Sequence, residues 1–328
     1  VDSNPDNVKL GVSLAQLLVQ EGDIDRALEQ LDVVLKLDKY NQVALTAKYE
    51  LLARKGDVAG MDEVTKLMQE GEPDGEGGYI REAHLRFAEK KYDDAIRILD
   101  EVLAKNPDSM AALLAKSEVL ATQKRYSDAI GVADEIIRVR PEGADGYFRK
   151  ARLMQAQGDT EAARLQLEKA IERNPNSPQV LSSYVNLEVE SGRYSEVEKR
   201  LQDLLKSNPE HQSANAYLGG VYRAQKKYPK AEQAFERQVA ITPDNAGAYA
   251  SLAQIRLAAG NTQGAVKAYE QGLERLPEDT SLLVGLAGLR ERQKDYDGAI
   301  TLYEQVLANQ PNNAVSTNNL AALLADHR

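Results

Sequence analysis

Prolines stand at Pro5, Pro73, Pro107, Pro141, Pro175, Pro209, Pro243, Pro277 and Pro311, all on one lattice with a 34-residue step. The one lattice point that is not proline is Lys39, and of the 11 prolines only Pro178 and Pro229 stand off the lattice. A period of this length means one supersecondary unit stacked on copies of itself. Length alone would divide 328 residues into about two domains. A repeat array escapes that division, because each unit touches only its neighbours and no single core has to grow.

The unit is clearest over 212–245, where Leu218-Gly219 is followed by Tyr222, then Ala231 with Phe235 four residues on, then Pro243. This resembles the tetratricopeptide repeat (TPR), W-x2-L-G-x2-Y…A-x3-F…P, with Asn215 where tryptophan is usual. The resemblance covers essentially the whole chain. It implies an all-α fold, a right-handed TPR superhelix (α-solenoid) of about nine helix-turn-helix repeats plus a final single helix. Taking each lattice proline as position 32 gives repeats at 8–41, 42–75, 76–109, 110–143, 144–177, 178–211, 212–245, 246–279 and 280–313. Residues 314–328 add one first helix and 1–7 the tail of a preceding unit, so 1–328 is expected to be a single continuous array.

Two helices cross closely only where side chains are small. Position 8 is Ala15, Ala83, Ser117, Ala151, Gly219, Ala253, Ala287 and Ala321; position 20 is Ala27, Ala95, Ala129, Ala163, Ala231, Ala265 and Ala299. Larger residues such as Leu35, Leu103, Ile137, Ile171, Leu205, Leu273 and Leu307 are expected to fill the gaps between repeats. No 34-residue unit offsets its own ordering entropy, so stability must come from stacking. Gly22, Gly56, Gly158 and Gly192 suit a left-handed turn after the first helix. Pro178 and Pro229 fall at helix starts, where a missing N–H costs nothing.

Two repeats depart from the pattern. Repeat 42–75 carries Tyr49 and Met61 at the small positions, then the acidic, glycine-rich run 70–78, which reads as a drifted repeat or as a looser junction acting as a hinge. Repeat 178–211 carries Val185 and Val197, which suggests a wider crossing.

Chemistry is sparse. The histidines His84, His211 and His327 lie in different repeats, and no HExxH, GxGxxG, P-loop, EF-hand or GxSxG pattern occurs. Asp93-Asp94 lies at a helix start, where acids complement the dipole. No catalytic residue, metal site or cofactor is therefore assigned. A net charge of −10 opposes nucleic-acid binding, which needs a basic face. No apolar run approaches 18 residues, so no segment is expected to span a membrane. Cysteine is absent, which removes disulfides and thiolate chemistry. The chain starts at Val1 without a signal-peptide pattern, and its last helix still shows Leu320, Ala321, Leu323 and Leu324. We expect a processed form or a piece of a longer protein, with something covering that end.

In the family this chain resembles, ligand contacts come mainly from the first helix of each repeat, on the concave side. Mapped here, that implies a charged, bulky half with Arg81, His84, Phe87, Glu118, Arg149, Arg152 and Gln155, followed by Asn186. The other half is small and nearly neutral, with Gly220, Gly285 and Gly288 relieved by Tyr217, Arg223 and Gln254. One reading pairs Glu118 with Arg152, an exposed pair worth about 0–1 kcal/mol. The other has Arg81, Arg149 and Arg152 receive an acidic peptide or terminal carboxylate, which guanidinium forks suit. The small residues either shorten helix–helix distances or leave a trough for a partner helix or extended segment. The chaperone-type carboxylate clamp needs Lys at position 5 and Asn at position 9, and no repeat has that pair.

The expected function is a non-catalytic scaffold holding a protein partner, peptide or helix, in the groove. The array is also similar to long bacterial TPR proteins of the cell envelope that serve exopolysaccharide assembly and export, which favours envelope or periplasm over cytoplasm. Direct glycan binding would want aromatic platforms, and Phe87, Phe148 and Tyr217 are few. End-to-end self-association through the last helix is a further expectation.

Overall fold

A computed structural model describes residues 5–327, which form nineteen α-helices and no strand. The first four residues of the 1–7 tail, and Arg328 at the end of the final helix, lie outside the described residues. The chain forms two compact units that divide between Arg173 and Asn174, in the linker that leads to the repeat starting at 178.

Unit 1 holds five hairpins: α1 (Pro5–Gln20) and α2 (Ile24–Leu37), α3 (Gln42–Lys55) and α4 (Val58–Gly71), α5 (Gly77–Ala88) and α6 (Tyr92–Lys105), α7 (Met110–Thr122) and α8 (Tyr126–Val139), α9 (Ala144–Gln157) and α10 (Thr160–Arg173). Unit 2 holds α11 (Pro178–Glu190) and α12 (Tyr194–Ser207), α13 (Ala214–Ala224) and α14 (Tyr228–Ile241), α15 (Ala246–Ala258) and α16 (Thr262–Arg275), α17 (Thr280–Arg292) and α18 (Tyr296–Asn309), then α19 (Ala314–His327). Within each unit a helix packs mainly on its neighbours in sequence, as stacking requires. No helix among the described residues is long and apolar enough to cross a membrane.

The small positions lie where the helices cross. Ala15, Ala83, Ala151, Ala253 and Ala287 on first helices are buried, and so is every position-20 alanine named above. Ala321 is exposed, since α19 has no second helix among the described residues. The expected gap-fillers sit further out than their sequence positions suggest. Ile171 is buried, but Leu35, Leu103, Ile137, Leu205, Leu273 and Leu307 are only half-buried. The residues one helical turn earlier form the interior: Leu31, Leu99, Leu167, Leu201, Phe235, Tyr269 and Tyr303. Full burial of each such side chain is worth about 1.5–3 kcal/mol.

The turn after each first helix is left-handed throughout. Gly22, Gly56, Gly158, Gly192 and Gly260 take φ of 72–89°, and Lys90, Lys124, Lys226 and Lys294 hold the same place at 57–63°. That conformation costs an L-residue about 1–2 kcal/mol. A cation beside the helix C-terminus offsets part of it through the dipole.

The last residue of most repeats caps the next first helix. Asn41, Ser109, Ser177, Asn245 and Asp279 accept from backbone N–H groups of α3, α7, α11, α15 and α17. His211 fills that place before α13. Its buried Nδ1 accepts from the N–H groups of Ser213 and Ala214, both at 3.2 Å, so Nε2–H donates to the Pro175 carbonyl at 3.3 Å.

The run 70–78 has a packing role. A Cβ on Gly71 would meet the Tyr40 Cβ at 2.7 Å, and one on Gly78 the Met68 Cβ at 3.0 Å.

Candidate functional site

On unit 1, the first helices α7 and α9, with the end of α8, enclose a cavity of about 730 Å³. Met110, Leu114, Phe148 and Leu153 give it an apolar wall, and Glu118, Arg140, Asp145, Arg149 and Arg152 its charge. The start of α9 is drawn against α8 because Gly146 lacks a side chain: a Cβ there would lie 2.7 Å from Ile137 Cγ1.

Arg149 is half-buried and makes no hydrogen bond or ion pair among the described residues. Burial holds its pKa below the usual guanidinium range, with Glu118 opposing that shift and Arg152 adding to it. Arg152 and Glu118 are exposed and likewise form no ion pair, so the expected Glu118–Arg152 pairing is not made. The one close pair at the cavity rim is Arg140 with Asp145, 3.9 Å apart and exposed on both sides. The site therefore holds a guanidinium that has lost part of its hydration and, among the described residues, makes no hydrogen bond or ion pair, with Glu118 and Asp145 acting on it only at longer range. An ionised acceptor with an adjoining apolar group fits such a wall.

The other unit 1 candidates divide. Arg81 donates to the Gly77 carbonyl at 3.3 Å and stands 5.9 Å over the Tyr49 ring, so it is partly engaged. Phe87 packs on the hydrophobic cluster of α5–α8, with its ring 5.7 Å from that of Tyr92. It contributes to the core more than to a platform. His84 and Gln155 are exposed and lie outside the cavity. Met110 and Arg140 line it but were not candidates, because they sit outside the first-helix positions used for the mapping; Asp145 stands at one of those positions but was not singled out.

On unit 2, Asn186, Arg223 and Gln254 are exposed, and the Tyr217 hydroxyl donates to the Pro178 carbonyl at 3.4 Å. The glycines split between the two expected roles. A Cβ on Gly285 would lie 2.6 Å from the Tyr269 ring, so its smallness serves packing. Gly220 and Gly288 have nothing within 4 Å of an added Cβ and face open space. Gly220→Arg and Gly288→Arg are accordingly expected to fold as well as the parent. Each should gain up to about 1 kcal/mol from helix propensity, read by circular dichroism on thermal melting.

These features define an α-helical repeat protein whose first-helix face on unit 1 offers an open, cationic and partly apolar cavity. Models of the tetratricopeptide repeat match residues 80–146, 184–246 and 251–314, and a second such model matches 120–187. The chain belongs to the tetratricopeptide repeat family. Among solved structures, the C-terminal part of a TPR repeat-containing protein from Cytophaga hutchinsonii is 16% identical, the match covering 74% of this chain and 99% of that one at a TM-score of 0.51. YrrB, a TPR protein with an unusual peptide-binding site, is 18% identical over 61% of this chain and 98% of its own, at a TM-score of 0.39. A chain of the APC/C hetero-tetramer Cut9-Hcn1 is 16% identical over 93% of this chain, at a TM-score of 0.41. This chain spans 60% of that protein's length. Comparison with curated proteins gives no match. The likeness to the Cytophaga hutchinsonii protein speaks for the fold alone.

Proposed function

We propose that this protein is an interaction scaffold whose unit 1 cavity receives an acidic segment of a partner polypeptide, as a peptide or at the end of a helix. TPR folds generally mediate protein–protein contacts, and here the supporting observation is Arg149, desolvated and unpaired beside Arg152 over an apolar wall. A carboxylate from the partner would take the guanidinium fork, and an apolar neighbour would lie on Leu114 and Phe148. The reading names no catalytic group, and among the described residues no cluster of three metal-ligating side chains occurs.

Fluorescence polarisation tests it with short labelled peptides that carry Asp or Glu beside Leu or Phe, set against amidated, Gln-substituted controls. Arg149→Glu is expected to weaken binding of the acidic peptides at least about tenfold, some 1.4 kcal/mol. The controls should bind poorly to both proteins. Equal affinity of parent and Arg149→Glu for every acidic peptide would remove the cavity from the function.

A further inference from the structure

Unit 2 carries a second cleft on its other face, where no family contact position falls. It has a volume of about 450 Å³ and lies between α12 and α14 over α13. An equivalent cleft of about 540 Å³ lies between α6 and α8 over α7, with Leu113 in its lining, so what sets the unit 2 cleft apart is the residues that line it. Position 4 of the repeat is large and apolar in several repeats, as at Leu113, Leu181, Tyr249 and Leu283, and those side chains are buried, while Gly11 and Thr317 hold it at the two ends of the array. In α13 the position is Asn215, which is polar. Asn215 is only 1% exposed, and its Oδ1 is buried without a hydrogen-bond partner. Its amide nitrogen has no partner among the described residues either. A buried polar group is ordinarily satisfied, and this one lines a cleft.

The rest of the lining joins Leu205, Leu218, Tyr222 and Ala234 to three cations. Lys206, Lys230 and Arg237 border the cleft with Gln202 and Gln233, and no carboxylate is among the lining residues. At its edge, Lys206 pairs with Asp203 at 2.7 Å, and Glu198 accepts from Lys230 at 3.3 Å, Gln202 at 3.3 Å and the Tyr222 hydroxyl at 2.9 Å, while Arg237 has no ion pair among the described residues. A cleft of this sign stands out in a chain whose net charge is −10.

We propose that this cleft binds the phosphate monoester of a small hydroxylated molecule. Arg237 takes the phosphate as a guanidinium fork, with Lys230 and Lys206 sharing its second charge. A hydroxyl both donates and accepts, which matches a carboxamide unpaired at both ends. Rotation about the Asn215 side-chain amide exchanges the oxygen and the nitrogen at the cleft wall. A carboxylate alone would leave that carboxamide unanswered.

Isothermal titration calorimetry of the full chain with glucose 6-phosphate, glucose and inorganic phosphate tests the assignment. Glucose 6-phosphate is expected to bind, phosphate at least tenfold more weakly, and glucose not measurably. Asn215→Leu restores the residue type that other repeats carry. It should raise the melting temperature while weakening glucose 6-phosphate at least tenfold, whereas a merely structural Asn215 would lower it. Arg237→Gln should also weaken binding at least tenfold with the melting temperature unchanged. The proposal is overturned if glucose 6-phosphate gives no heat, if phosphate binds as tightly as it does, or if both variants bind like the parent. Arg149→Glu, in unit 1, should leave this binding unchanged, so this cleft and the unit 1 cavity fail or stand separately.

Discussion

Arg193→Met is expected to destabilise α11 and α12 by about 3–5 kcal/mol, the cost of leaving a buried charge uncompensated. The charge is Glu188 on α11, fully buried in the core of its hairpin. Arg193 closes on it as a fork, Nε to Oε2 at 2.7 Å and Nη2 to Oε1 at 3.3 Å, while keeping 28% of its own side chain exposed. The asymmetry decides which partner matters. Arg193 can turn outward when Glu188 is lost, but Glu188 has no such route. Hydrogen exchange of the α11 and α12 amides should accelerate by about two to three orders of magnitude, a factor of ten for every 1.4 kcal/mol. The double variant Glu188→Leu with Arg193→Met should recover most of that loss, because the same repeat position is Leu18, Leu52 and Leu120 elsewhere. Unchanged exchange in Arg193→Met would show that the pair contributes nothing.

Most of the architecture was legible from spacing, because the fold is periodic and each periodic position meets one physical demand. The lattice prolines marked the hairpins, the alanines at positions 8 and 20 marked the crossings, and Pro178 and Pro229 marked helix starts, as the structure has them. What stayed hidden was whatever depends on the neighbour a position meets. Four lysines occupy a left-handed turn that glycine signals elsewhere, since local dipole and exposure make the conformation tolerable there. His211 caps α13 through Nδ1, a role the sequence gives no reason to assign to imidazole. Gly285 and Gly288 look alike in sequence, yet one abuts a tyrosine ring and the other faces open space. At the candidate site, Arg149 and Arg152 were named in advance because first-helix positions are periodic. That Arg149 goes unpaired was not legible, since it rests on distances between side chains that spacing does not set.

The same dependence on neighbours underlies the last prediction. Position 8 and position 24 of a repeat face each other across the helix crossing, and in several repeats their sizes trade off, though not in Ser117 with Ala133 or Val185 with Leu201. Small and medium partners are Ala15 with Leu31, Ala83 with Leu99 and Ala151 with Leu167, all buried. Tyr49, which looked like drift, sits opposite the small and buried Thr65, and Gly219 sits opposite Phe235. A Cβ on Gly219 would lie 2.6 Å from Phe235 Cε1 and Cζ, on a buried ring that cannot swing aside. Gly219→Ala should therefore cost about 1–3 kcal/mol through overpacking, although alanine favours the helix by about 1 kcal/mol. Phe235→Leu alone should cost about 1 kcal/mol or more by leaving space beside a glycine. Combined, the two changes rebuild the Ala–Leu pair found in other repeats, and the double variant should be more stable than Gly219→Ala alone. A double-mutant cycle by urea denaturation should then return a coupling of at least about 1 kcal/mol in the stabilising direction. Additive effects would mean that the crossing relaxes around the extra methyl, and that size matching is not what holds these hairpins in register.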